Sequence, residues 1–224
     1  MKVRLAILIF LGLLAGCAKE PFEPNPTPVL QSPQPAAMRD TFARVLPNRF
    51  TSDDTIIIQA PFHDDLAVLG VLRVDRPAGT FELVALNHMG IKLFDLRGDR
   101  KDVSVVFVLP PLEGLKDILL SIARDIRHMY VDLIPASGAD ETIHSKDVKF
   151  SQDTPDGTII YKFGGDPSIL LEKRLVGFFG TIWRVRYFRY TSETGGLYPR
   201  GIVMDNSRYH YRIIVKNRDV EIKP

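Results

Sequence analysis

Residues 66–96 constrain this chain more than any other stretch. Three short apolar runs folded back through two tight turns read as β-sheet. Leu66, Val68, Gly70, Leu72 and Val74 alternate with Ala67, Leu69, Val71 and Arg73. Asp75-Arg76-Pro77-Ala78-Gly79 ends the first run, since proline removes a ladder donor and glycine admits positive φ. Residues 81–86 run back, Asn87-His88-Met89-Gly90 reverse the chain, and residues 91–96 return. The two-residue side-chain period puts Phe81, Leu83 and Ala85 on one face, and Val84 and Leu86 on the other. Both faces are largely apolar, which predicts a cover over the second face, either protein or ligand. Hairpin tips favour Asn, Asp and Gly, yet this one carries Met89 just before Gly90. Two readings stay open: a methionine folded onto its own sheet, or one held out for a membrane or an acyl chain.

The first residues read as a secretory signal. Lys2 and Arg4 precede an apolar run over 5–14, shorter than the roughly 20 residues that span a bilayer. Leu14-Ala15-Gly16-Cys17 resembles the lipobox of bacterial lipoproteins, cleaved before a cysteine that carries diacylglycerol. The resemblance implies a signal peptide over 1–16 and lipidation of Cys17. Ala18, where aspartate would retain the protein, implies the periplasmic face of a Gram-negative outer membrane. Cys17 is the single cysteine, so once lipidated it leaves no thiol for a disulfide, a metal or a nucleophile.

Residues 17–37 read as a tether. Six prolines (Pro21, Pro24, Pro26, Pro28, Pro33, Pro35) and few large apolar residues predict an extended spacer reaching at most roughly 60 Å. Residues 38–224 are ample for a single domain. The chain has 29 Lys+Arg against 27 Asp+Glu, and Lys2 and Arg4 of the signal account for the difference. A neutral mature chain lacks the basic excess that nucleic acid selects.

Met38, Phe42, Val45 and Leu46 predict a short helix ended by Pro47, and residues 55–60 a strand. His63-Asp64-Asp65 matches no metal-ligand spacing and reads as a solvated turn. Residues 103–109 form a further strand, closed by Pro110-Pro111. Leu112, Leu115, Leu119, Ile122, Ile126, Met129 and Leu133 then form a wide apolar helical stripe, with Lys116, Asp117, Arg124, Asp125 and Arg127 opposite. Such a helix must lie on an apolar surface, and the second sheet face is available. From Val148 onward, six short strands separated by Gly, Asn and Asp turns predict an antiparallel meander. Trp183, Val185 and Tyr187 share one face of the run 181–190, with Arg184, Arg186 and Phe188 on the other. Leu197-Tyr198 offers a second candidate for membrane contact.

No G-x-S-x-G, H-E-x-x-H or phosphate-binding glycine loop occurs, and the five histidines sit in unrelated contexts. No enzyme, cofactor or metal site is expected.

Residues 81–96, FELVALNHMGIKLFDL, together with the lipobox and the helix set among strands, resemble the LolA/LolB superfamily of lipoprotein carriers and receptors. The resemblance implies a mainly β, α+β fold: an antiparallel, unclosed half-barrel of about eleven strands under a helical lid. It assigns Met89 and Gly90 to a membrane-insertion tip. It assigns Leu83, Leu93, Leu115, Leu119, Ile122, Ile126 and Trp183 to an acyl-chain cavity and its lid. The expected partners are the membrane, lipid or lipoprotein acyl chains and a periplasmic carrier protein, with the chain itself a monomer. An acyl chain of about 15 methylenes costs about 12 kcal/mol in water, so a carrier needs a hollow of comparable worth. The alternative is an anchored interaction protein with no lipid cargo.

Overall fold

The computed structural model describes residues 20–61, 64–192 and 196–223; Cys17 and His63 lie outside them. Helix α1 (Pro35–Val45) precedes strands β1 (Arg49–Gln59), β2 (Leu66–Asp75), β3 (Thr80–Leu86), β4 (Lys92–Gly98) and β5 (Val103–Val108). A 3-10 turn (Pro110–Leu115) then leads into helix α2 (Lys116–Tyr130). Strands β6 (Asp140–Ile143), β7 (Asp147–Thr154), β8 (Gly157–Gly164), β9 (Ile169–Gly177), β10 (Gly180–Thr191), β11 (Tyr198–Asn206) and β12 (Tyr211–Lys223) complete the chain.

Twelve strands join one sheet, in the order β5-β4-β3-β2-β1-β12-β11-β10-β9-β8-β7-β6. All pairings are antiparallel, and the two ends of the row stay unpaired. The sheet is therefore an unclosed barrel with α2 as its lid, as expected, with twelve strands rather than eleven. The β6 edge strand Asp-Glu-Thr-Ile is exposed throughout and carries no alternation to read. Residues 211–215 and 220–222, expected in two strands, belong to β12, while 209 and 210 lie in the turn before it. The β1 register against β12 steps from Asp219 to Asn217 across Asp53 and Asp54, so a bulge absorbs the polar interruption.

The central hairpin forms over the expected strands, with Leu72 opposite Leu83 and Leu83 opposite Leu96. Phe81, Leu83 and Ala85 are buried, and Glu82, Val84 and Leu86 are half-buried. The lid does not cover the second face. It lies on the inner face, where Leu72, Leu83, Phe94 and Leu96 meet Leu119, Ile122, Ile126 and Met129 in one core. Leu69, Val71, Val84 and Leu86 remain half-exposed on the outer face. Leu69 stands opposite Leu86 and Val71 opposite Val84, and these cross-strand pairs shelter one another without a second layer.

The 3-10 start of the lid follows from Pro110-Pro111, which take the first positions where missing N–H groups cost nothing. Helix α1 begins at Pro35 for the same reason. Its Phe42 is fully buried, edge-to-face with Phe163 at 5.3 Å.

The proline-rich stretch differs from a free spacer. Over residues 20–34 it is laid along the sheet as a strap. Asn25 Nδ2 donates to the Tyr187 carbonyl at 2.7 Å, and the Leu30 amide donates to the Ser145 carbonyl at 2.8 Å. Phe22 packs on Phe188 with ring centroids 5.6 Å apart. Gly201 makes that approach possible: a Cβ there would stand 2.7 Å from the Phe22 ring. Glu20 pairs with Arg186. Proline denies the strap a ladder, but Phe22, Asn25 and Leu30 supply contacts that composition conceals.

Candidate functional site

The lid is latched at its C-terminal end. Helices often close on a glycine in the left-handed region; α2 ends instead on Val131 in right-handed geometry. Its last carbonyls point into the protein and meet donors from the sheet. Lys173, fully buried on β9, reaches the Asp132 carbonyl at 2.5 Å and the His128 carbonyl at 3.5 Å. The Tyr187 hydroxyl donates to the Met129 carbonyl at 3.2 Å. Arg76 Nε, from the β2–β3 turn, donates to the Tyr130 carbonyl at 2.8 Å. Two cations at a helix C-terminus also complement its dipole. Burial pushes the Lys173 ammonium down to about 8 and the Arg76 guanidinium down to about 10. His128 stacks on Trp183 at 4.5 Å, and burial holds its imidazole well below the usual range, so it is neutral.

A second lock sits mid-helix. Asp125, expected on the solvent side, is buried. It accepts from the Tyr211 hydroxyl at 2.5 Å and from Asn206 Nδ2 at 2.9 Å. Burial raises its carboxyl to about 6 against these hydrogen bonds.

Two spaces flank α2. Beneath Ile122, Ile126, Met129 and Tyr130 lies an apolar cavity of about 20 Å³, floored by Ile56, Ile58, Leu72, Leu83, Phe94, Ile213 and Val215. It is about the size of one water. Asp54 opens into it, with Oδ2 held by Ser52 at 3.1 Å and Oδ1 without a partner; the Tyr130 hydroxyl is likewise unpaired. Burial raises the Asp54 carboxyl to about 7. On the other flank, a cleft of about 510 Å³ runs past Ser121, Arg124, Asp125 and His128. Ile159, Leu175, Ile182 and Trp183 form its apolar side, and Thr154, Asp156, Arg127 and Arg208 a polar rim. That volume falls within the usual range for small-ligand sites, but ten of the fourteen lining residues are polar or charged, and Leu175 and Trp183 are buried.

The structure brings Leu83, Ile122 and Ile126 together at the small cavity and sets Trp183 in the cleft. Leu119 is buried in the same core, Leu115 is half-buried where the lid begins, and Leu93 is buried at the β4 bulge opposite Ala85 and Leu86. Met89 is 67% exposed at the hairpin tip, so it is not folded onto its own sheet. Gly90 takes φ 79°, and the Asn87 side chain accepts from the Met89 and Ile91 amides at 2.9 Å. Leu197 and Tyr198 are buried, with the Leu197 amide bonded to the Val45 carbonyl at 2.7 Å, so they offer no membrane contact. Arg184 and Arg186 are engaged by Asp205 at 3.4 and 2.6 Å. Among the described residues, no group of three or more His, Cys, Asp or Glu could hold a metal. The sequence reading missed Lys173, Arg76 and Asp54. Each is a charge at an apolar place; the partners of Lys173 and Arg76 lie far away in the chain, and the apolar cavity that Asp54 opens into is built from distant strands and the lid.

One open antiparallel sheet under a lid helix defines the LolA/LolB-like fold. The chain is similar to a LolA superfamily protein from Nitrosomonas europaea: TM-score 0.58, 8% identity, 86% of this chain and 95% of that one. It is also similar to an outer membrane lipoprotein-sorting protein domain from Vibrio parahaemolyticus: TM-score 0.50, 8% identity, 84% and 91%. The sequence matches no protein-family pattern and no curated protein.

Proposed function

We propose that this protein is a non-enzymatic lipoprotein of the outer membrane that binds acyl chains of lipids or lipoproteins for transfer or insertion at the periplasmic face. Residues 1–16 are its signal peptide, Cys17 carries the lipid anchor, and residues 38–224 are the carrier domain, working as a monomer with a periplasmic carrier protein as donor. The observation that carries this reading is the apolar contact between the latched lid and the inner sheet face, which lid movement would expose; the mainly polar cleft beside the lid adds one apolar wall of Ile159, Leu175, Ile182 and Trp183. The sorting-protein domain with the same fold lends support. The cavity under α2 is too small for a chain of many methylenes, so loading moves the lid away from the sheet. The latches at Lys173, Arg76 and Asp125 set the cost of that motion. Transfer to a bilayer needs no ATP, because the bilayer interior takes the chain at about 0.8 kcal/mol per methylene.

A second reading is an anchored interaction protein whose lid is permanently packed. The small cavity volume favours it.

The exposed Met89 gives the test. Met89→Glu folds normally, loads a fluorescent acyl probe normally, and delivers it to phospholipid vesicles at least about tenfold more slowly, from the cost of a charge at the membrane surface. Stopped-flow transfer measures this. Unchanged delivery removes Met89 from the mechanism, and failure of the parent protein to load the probe favours the interaction reading.

A further inference from the structure

We infer that the β9–β10 tip, Phe178-Phe179, is a membrane anchor that inserts from the same rim of the half-barrel as Met89 and fixes that rim to the phospholipid surface. The inference rests on the reading of this protein as anchored through Cys17, and goes beyond it by assigning a second insertion site.

Phe178 is 96% exposed and Phe179 is 99% exposed. The next most exposed large hydrophobic among the described residues is Met89, at 67%. Gly177 pairs with Gly180, so the two phenylalanines form the whole two-residue loop of the hairpin. Such loops favour Asn, Asp and Gly. Turn chemistry therefore gives no reason for phenylalanine here, and packing gives none either. The rings meet only edge-to-face with each other, at 5.0 Å. Two adjacent aromatic rings in water are an apolar surface awaiting a partner.

The sheet shows what the partner is. In an antiparallel row, the β1–β2, β3–β4, β7–β8, β9–β10 and β11–β12 connections all leave the same edge. Phe178 and Phe179 therefore share an edge with Met89 and Ile91, and with Tyr209, whose ring lies 5.9 Å from the Arg208 guanidinium. Aromatics, methionine and arginine on one edge suit a bilayer interface, where the rings insert and the guanidinium stays with the headgroups. Asp64, Asp65 and Asp156 lie in turns on the same edge, so charge does not drive the contact.

The strap gives the second support. Asn25 meets Tyr187 and Tyr190, Phe22 meets Phe188, and Glu20 meets Arg186. Followed backwards, the chain thus runs toward the start of β10, where Phe178 and Phe179 project. Arg186 stands about 20 Å of strand from Gly180, and the three residues from Glu20 to Cys17 span at most about 11 Å. Chain length alone keeps Cys17, where a diacylglyceryl group attaches, within about 11 Å of Glu20, beside the middle of β10. The docked strap, unlike a free spacer, holds the domain close to the surface.

The test uses the lipidated full-length protein in vesicles of phosphatidylethanolamine and phosphatidylglycerol. In Phe179→Trp, the added indole emits at a blue-shifted wavelength and is quenched at least about twofold by brominated acyl chains. Trp183, the single native tryptophan, lines the cleft, so the test is run in a Trp183→Phe background in which position 179 carries the sole indole. Phe178→Ser combined with Phe179→Ser raises exchange of the protein between vesicles by at least about tenfold, and added salt changes this little. An aqueous, unquenched emission from Trp at 179 overturns the inference. So does a serine pair that leaves exchange unchanged, or one that converts a dimer to a monomer. Loading of an acyl probe is read separately: if the parent does not load while Trp at 179 is quenched, the carrier reading fails and the anchor stands.

Discussion

Lys173→Ala lowers the unfolding free energy by about 3 kcal/mol and loosens the last turn of the lid. The reason lies in what the ammonium holds. It is fully buried, meets two carbonyls at the end of α2, and lies 5.3 Å from the Tyr161 ring and 5.5 Å from Trp183. Alanine leaves the Asp132 carbonyl without the ammonium, at about 1–3 kcal/mol, leaves the His128 carbonyl only the Tyr187 hydroxyl at 3.5 Å, and leaves a cavity as well. One term opposes the loss. The folded value of about 8 lies below the ordinary 10.5, so burying the charge disfavours folding at neutral pH. The loss therefore sits near the lower end of the range for broken buried pairs. Lys173→Met restores volume but not the cap, and recovers only part of the stability. Denaturant titration measures the energy, and hydrogen exchange at residues 126–130 locates it. Unchanged exchange there would mean that the latch is held by Arg76 and Tyr187 alone.

Asp54→Asn stabilises the protein by about 2–4 kcal/mol at pH 8 and not at all near pH 3. Asp54 is 2% exposed and opens into the apolar cavity under the lid. Burial raises its carboxyl from 3.8 to about 7. A raised value favours the neutral acid in the fold. That contribution is fully present below pH 3.8 and is lost as pH rises through about 7. At pH 8 the folded parent holds an ionised carboxylate among isoleucines, whereas asparagine has no charge to bury. Asparagine retains a polar group that needs partners, which keeps the gain below the full shift. The measurement is the difference in unfolding free energy between parent and variant across pH 3–8. His128 contributes with the opposite sign: its folded value is depressed, so its stability is present above 6.5 and lost on acidification, equally in parent and variant. A difference that is flat with pH would show that Asp54 keeps an ordinary value in the folded state.

These two positions also mark where sequence reading stops. The hairpin over residues 66–96 was legible because period-two alternation and turn residues are local signals. The lid was legible because Leu119, Ile122, Ile126 and Met129 repeat at helical spacing. Asp125 was assigned to the solvent side because a charged letter on a helix is usually solvated. Its burial depends on Asn206 and Tyr211, more than eighty residues away. Lys173 and Asp54 carry charges into apolar places for reasons that only the assembled sheet supplies. The cover predicted for the second hairpin face was an overreach: apolar letters on both faces fit an outer surface that is half-exposed. The strap was hidden by its prolines. Phe178 reads from the sequence as the end of a strand and Phe179 carries no signal of its own, because nothing in the pattern separates a buried phenylalanine from one at a tip.

The measurement that tests the carrier reading most directly is photo-crosslinking with a diazirine-bearing fatty acid, mapped by mass spectrometry on the full protein. The account predicts stoichiometric, saturable labelling of Ile159, Leu175, Ile182 and Trp183 along the cleft, extending to Ile122 and Ile126 as the lid moves. Labelling confined to the outer face, at residues such as Leu69 and Val84, or no saturable labelling at all, would contradict it.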